Sequence, residues 1–179
     1  MNNEYHNHSG GAIGADSQFD IIGREFGVMN HHHYWYGKPN PKSNLEDKIS
    51  EEEYLEGVEK IYEANKTLKR KNIEKYMYLL ARNWIQVKNS ECIYAIGIIK
   101  KKQVSGGTGW AIQMAIDNNK PVYVYCQLKK KWFFWNNGFE VCVTPKLSKH
   151  FAGIGSRKIT EDGIQAIKNL YLKTFDQKK

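Results

Sequence analysis

The chain has 179 residues, 41% hydrophobic and 26% charged, which suits one domain with a sizeable core. Its polar start, MNNEYHNHSGG, is neither a signal peptide nor an anchor, and apolar runs such as CIYAIGII are far too short to span a bilayer. A net charge of +8 favours anionic partners, and three cysteines without C-x-x-C spacing (Cys92, Cys126, Cys142) read as buried free thiols in a reducing cytosol rather than a zinc site.

Along the chain, Ala15, Phe19, Ile22 and Phe26 form a helical apolar stripe over residues 14–26, preceded by Gly10-Gly11 and closed by Gly27. VMNHHHYWY predicts a strand running into a loop, and residues 37–44, GKPNPKSN, carry turn chemistry. A long helix follows, with Leu55, Val58, Ile61 and Tyr62 as its stripe and Glu51–Glu53 in its first turn, where the helix dipole favours acidic side chains. After the basic break at 69–72 comes a second helix marked by Ile73, Met77, Leu80, Trp84 and Val87. ECIYAIGIIK reads as one buried strand, VSGGTGWAIQMAIDNN as a glycine loop opening a helix, and KPVYVYC as another strand. KWFFWNNGFEVCV has the pattern of a β-hairpin turning at Asn136-Asn137-Gly138. KHFAGIGSRKIT then predicts a strand and an elbow, and Ile164, Ile167, Leu170, Tyr171 and Phe175 mark a terminal helix. The alternation implies an α/β fold: a Rossmann-like, doubly wound, mostly parallel sheet flanked by helices, with an antiparallel hairpin at one edge.

Three strand–glycine–helix junctions recur: HSGGAIGAD (8–16), VSGGTGWAIQ (104–113) and AGIGSRKIT (152–160). Glycine lets backbone N–H groups approach an anion, and a helix start adds partial positive charge. All three junctions must open on the same edge of the sheet, which points to a pocket for a nucleotide or phosphorylated nucleoside. The candidate ligand-binding residues are Ser9, Gly10, Gly11 and Asp16 at the first junction, then Ser105, Gly106, Gly107, Thr108 and Gly109 at the second. The third adds Gly155, Ser156 and Arg157, and Arg82 joins them from the second long helix. The Arg157 guanidinium suits bidentate phosphate binding, with a salt bridge to a neighbouring acidic helix as the alternative. Asp16 reads equally as a partner for a ribose hydroxyl or as compensation of the helix dipole. Trp110 could stack on a base or pack in the core.

GIGSR, SGGAIGAD and SGGTGWAIQMA together resemble the signature elements of the SLOG superfamily, which includes LOG-type phosphoribohydrolases, the DNA-processing protein DprA and nucleotide-signal sensors. The resemblance covers nearly all of the chain except the hairpin. Here GIGSR comes last and SGGAIGAD first, the order of a circularly permuted member. It implies that Phe175 lies near Asn3 and that Arg157 faces Gly10 and Gly107 across one pocket. In the hydrolase branch a P-G-G-x-G-T-x-x-E loop supplies a glutamate that works with an arginine. Matched residue by residue, Ser105 takes the place of the proline, Trp110 that of the threonine and Gln113 that of the glutamate, with Arg82 near the arginine. An amide cannot serve as general base or carry the charge that supports an oxocarbenium-like centre. The resemblance therefore implies binding of a nucleotide-derived signal, cyclic or derived from ADP-ribose, without turnover. By analogy with viral counter-defence proteins, it extends to sequestration of such a signal in a bacterial or phage-infected cytosol. A hydrolase using other carboxylates, Asp16 or Glu25, is the alternative. No catalytic residue, cofactor or metal is assigned.

HHHYWY (31–36) is the most unusual run. As a strand it puts His31 and His33 on one face and His32 on the other, so the three cannot converge on one metal. The alternatives are a pocket rim or strand-end packing. The basic clusters 69–71, 100–102 and 129–131 read as solvated loops. WFFW (132–135) places aromatics on both hairpin faces, which suggests a subunit interface and a homo-oligomer. Nucleic acid and membrane are not expected as partners, since the basic clusters are scattered and no dedicated motif is present.

Overall fold

The computed structural model describes residues 4–35 and 45–176. In chain order they form β1 (His6–Ser9), α1 (Ala15–Glu25), β2 (Met29–Tyr34), β3 (Leu45–Lys48), α2 (Glu51–Leu68), a short 3-10 turn (Ile73–Tyr76) and α3 (Met77–Lys88). There follow β4 (Cys92–Gly97), β5 (Ile99–Lys100), β6 (Gln103–Val104), α4 (Thr108–Asp117), β7 (Val122–Cys126), β8 (Lys131–Trp135), β9 (Phe139–Cys142), β10 (His150–Gly155) and α5 (Glu161–Phe175). Eight strands make one sheet in the order β3-β2-β1-β10-β4-β7-β8-β9. All neighbours are parallel up to β7, and β8 and β9 add an antiparallel edge. The fold is the expected Rossmann-like α/β arrangement. Among the described residues no helix is long and apolar enough to cross a membrane.

Alternation along the central strand builds two cores. Ile93 and Ala95 of β4 face α2, α3 and α4, while Cys92, Tyr94 and Ile96 face α1 and α5. Every residue of β4 is buried, as its unbroken apolar run requires. Helix α2 starts on a capping box: Glu53 N–H donates to Ser50 Oγ (3.2 Å) and Ser50 N–H donates to Glu53 Oε2 (2.9 Å). Helix α5 starts on Thr160, whose Oγ1 accepts from Gly163 N–H.

The stripe expected on α2 is rotated. Leu55 and Tyr62 are about half exposed, and the buried line is Gly57, Ile61, Ala64 and Leu68. A Cβ on Gly57 would lie 2.8 Å from Ala81 Cβ, so α2 meets α3 through its smallest residues, and close approach rather than side-chain size selects the face. β3 was not expected. Its sequence, LEDK, is charged, and it is the outer strand beside β2. ECIYAIGIIK is likewise not one strand: β4 ends at Gly97, and β5 pairs with β6 as a separate small ribbon. The 37–44 stretch, Tyr36 and Asn3 lie outside the described residues. Among the described residues, the Tyr5 ring meets that of Phe175 edge-on at 4.8 Å, so the segment before β1 packs on the end of α5.

The hairpin forms as expected, with Trp132 and Phe133 buried within the chain and Phe134 and Trp135 half-buried. β8 lies between β7 and β9, Trp132 packs in the core under α5, and Phe133 packs in the core under α4. Val141 and Val143 are exposed at this edge. The cysteines are free thiols, with Cys92 and Cys126 buried and Cys142 half-buried.

Candidate functional site

The parallel strands β1, β10 and β4 lie side by side and carry their glycine junctions to one edge of the sheet. The first junction docks directly on the third. Ala15 N–H donates to Ser156 O (3.0 Å), and Gly155 N–H donates to Asp16 Oδ1 (3.1 Å). Gly14, with φ of 104°, sits so close that a Cβ there would be 2.4 Å from the carbonyl oxygens of Ser156 and Arg157. The second junction does not follow its strand immediately, because the β5–β6 ribbon intervenes. Arg70, from the turn after α2, returns that loop to the site: its guanidinium donates to Gly106 O (2.5 Å) and Val104 O (3.0 Å) and lies over the Trp110 ring. Asn65 fixes the Arg70 backbone in turn, accepting from its N–H (2.8 Å) and donating to its carbonyl (3.1 Å).

Together they enclose a cavity of about 670 Å³, within the range of small-molecule sites. Of the candidate residues, Asp16, Arg82, Ser105, Gly106, Gly107 and Thr108 line it, as do Gly155, Ser156 and Arg157. Ser9, Gly10, Gly11 and Gly109 do not. The alternation of β1 turns Ser9 to the α1 face, where its Oγ accepts from Gly11 N–H (3.0 Å). Gly10 backs the cavity wall, with Arg82 and Gln86 packed against its Cα. Gly109 is closed off by Val104 O, which a Cβ there would meet at 2.1 Å.

The lining carries Arg70, Lys71, Arg82, Arg157 and Lys158 against one carboxylate, Asp16. No side chain caps the start of α4, where the N–H groups of Gly109 and Trp110 donate to the carbonyls of Gly106 (3.2 Å) and Gly107 (3.1 Å). Burial pushes the Asp16 carboxyl up to about 6, against the opposing pull of the Arg82 guanidinium and of backbone N–H groups from Gly155, Gly10 and Ala12. Burial likewise pulls Arg82 down from its ordinary range, with Asp16 opposing. Arg157 is exposed and makes no ion pair among the described residues. Trp110 is buried and contributes to the wall.

Gln113, at the position of the family glutamate, does not line the cavity; its amide donates to Asp117 Oδ1 (2.8 Å) one turn along α4. Glu25 lies exposed at the far end of α1, more than two turns from the first junction, and is not a candidate carboxylate for this site. The histidine run does not reach the cavity either. His31 and His33 instead join His6, His8 and His150 on the α2–α3 side of the sheet, and the pocket-rim reading is set aside. No group of His, Cys, Asp or Glu able to hold a metal occurs among the described residues.

The cavity residues missed from sequence include Arg70, Lys71, Lys158, Asn83 and Gln86. The first two sat in a cluster read as a solvated loop. Gln86 had a legible signal, since it falls one helical turn after Arg82. No family model, curated protein or solved structure matches the chain.

Proposed function

We propose that this protein is a circularly permuted SLOG-type domain that binds a small nucleotide-derived anion and retains it without turnover. The observation that carries this reading is the meeting of three glycine junctions on one cavity whose cations outnumber its single carboxylate. The adjacency of β1 and β10, the first and last strands of the chain, supports the permuted order. The position of Gln113, turned to Asp117, supports binding over glycosidic cleavage. Sequestration of a cyclic or ADP-ribose-derived signal in a bacterial or phage-infected cytosol follows by analogy, and a homo-oligomer through the exposed β9 edge would suit it.

A hydrolase is the second reading, favoured by one observation. Asp16 is a buried carboxyl poised near neutrality beside Arg82, the setting in which a carboxyl can exchange a proton. The two readings separate in one experiment. The protein is incubated with nucleoside monophosphates, cyclic di- and trinucleotides and cyclic ADP-ribose isomers, then heated, and the released material is weighed by mass spectrometry. Intact ligand supports retention; free base or linearised product overturns it and favours the hydrolase.

A further inference from the structure

Two buried donors in the cavity wall have no acceptor within the described protein: Nε2 of Gln86 and Nε of Arg82. Gln86 is 1% exposed and lines the cavity, and it lies one turn after Arg82 on α3, so both side chains leave the helix on the same side. The first junction is shaped around them. A Cβ on Gly10 would lie 2.5 Å from Gln86 Nε2 and 3.0 Å from the Arg82 guanidinium. A buried amide donor left unpaired is costly, and in native proteins such groups find a partner.

The neighbouring acceptor identifies the kind of partner. Asp16 lines the same cavity and lies beside Arg82. A phosphate here would offer acceptors to the two donors but would face the Asp16 charge, whereas the exposed Arg157 and Lys158 present no such conflict. A base carbonyl would use the donors but bring no proton of its own to the carboxylate, which already accepts from backbone N–H groups. A hydroxyl does both at once, accepting from an N–H and donating to a carboxylate.

We propose that Gln86 and Arg82, with Asp16, read a ribose hydroxyl, so that the site selects ribonucleotides over 2′-deoxyribonucleotides. The inference rests on the nucleotide-binding reading above and narrows its ligand class.

The test is isothermal titration of the full chain with AMP, GMP, ADP, GDP and cyclic di-AMP, each beside its 2′-deoxy counterpart, repeated on Gln86→Met. Whichever ribonucleotide binds is expected to bind roughly tenfold or more tightly than its deoxy form, the worth of one or two such hydrogen bonds. Gln86→Met, similar in length and volume, should abolish that preference by weakening the ribonucleotide alone. It should keep or raise the Tm of the free protein, since it deletes an unpaired donor. Equal wild-type affinity for ribo and deoxy forms overturns the inference while leaving the nucleotide reading intact, and so does a preference that survives Gln86→Met. If neither these compounds nor the cyclic trinucleotides and cyclic ADP-ribose isomers bind, the nucleotide reading and this inference fall together.

Discussion

At the level of single residues, the cavity separates groups that shape the fold from groups free to meet a ligand. Among the described residues Arg157 makes no ion pair, and a Cβ at Gly107 meets nothing within 4 Å. Arg157→Ala and Gly107→Val should therefore leave the Tm of the free protein unchanged. A charge-assisted contact is worth about 1.5–3 kcal/mol, so Arg157→Ala should weaken ligand binding roughly 10- to 100-fold, read as loss of ligand-induced thermal stabilisation. If both variants bind like wild type, the ligand lies elsewhere. Asp20, behind the site, gives a different signature. It accepts from Asn7 Nδ2 (3.0 Å) between α1 and the sheet, and burial, reinforced by Asp16, pushes its carboxyl up to about 8. A carboxyl raised in the folded state contributes stability below its unfolded value near 4 and loses it as pH rises to about 8. Asp20→Asn should flatten that decline in a pH series of denaturant melts, and an unchanged slope would remove Asp20 as its cause.

At the level of elements, the surface of β1, β2 and β10 facing α2 and α3 carries an array of imidazoles. Nδ1 of His6 lies 2.8 Å from Nε2 of His31, whose own Nδ1 lies 3.0 Å from Asp47 Oδ2. Beside it, Nδ1 of His8 lies 3.1 Å from Nε2 of His33, and Nε2 of His8 lies 3.2 Å from Nδ1 of His150. Every histidine contact pairs Nδ1 with Nε2, so neutral rings protonated at Nδ1 satisfy the whole array, while a second proton on Nε2 of His8 or His33 would turn N–H toward N–H. Burial pulls His8 down to about 2 and His33 to about 4, the latter against the opposing pull of Asp47. Groups depressed on folding contribute stability above their unfolded value near 6.5 and lose it as pH falls, so the array should weaken between pH 6.5 and 4. Hydrogen exchange should show β1 and β2 opening first on acidification, and uniform opening of the sheet would contradict this. The α2–α3 contact makes a second prediction at this scale. Gly57→Leu places a side chain against Ala81 and should cost about 1–3 kcal/mol in chemical denaturation.

At the level of the whole molecule, β1 and β10, far apart in the chain, lie side by side in the middle of the sheet. β1 pairs with β10, and Tyr5 packs on Phe175. A permuted chain with its present ends joined by a short linker and opened between Val143 and Thr144 should fold with a Tm within a few degrees of the parent and bind the same ligand. Failure to fold would mean that strand order along the chain, rather than the set of strand neighbours, carries the stability. Much of this was legible beforehand. Apolar periodicity marked α1, α3 and α5 and, with its face rotated, α2, and glycine spacing marked the three junctions and the start of α4. Charged β3 and the two-residue strands of the β5–β6 ribbon left no periodic trace, because edge and ribbon strands bury too little to require one. The sequence by itself determined the α/β class, the junctions and their common edge, because local propensity and strand alternation are written residue by residue. Only the tertiary structure decided that Arg70 and Gln86 belong to the cavity, that Glu25 and Gln113 do not, and that five histidines from three strands share one face. Those facts depend on which strands and helices become neighbours, and no local pattern encodes contacts between residues as distant as His8 and His150.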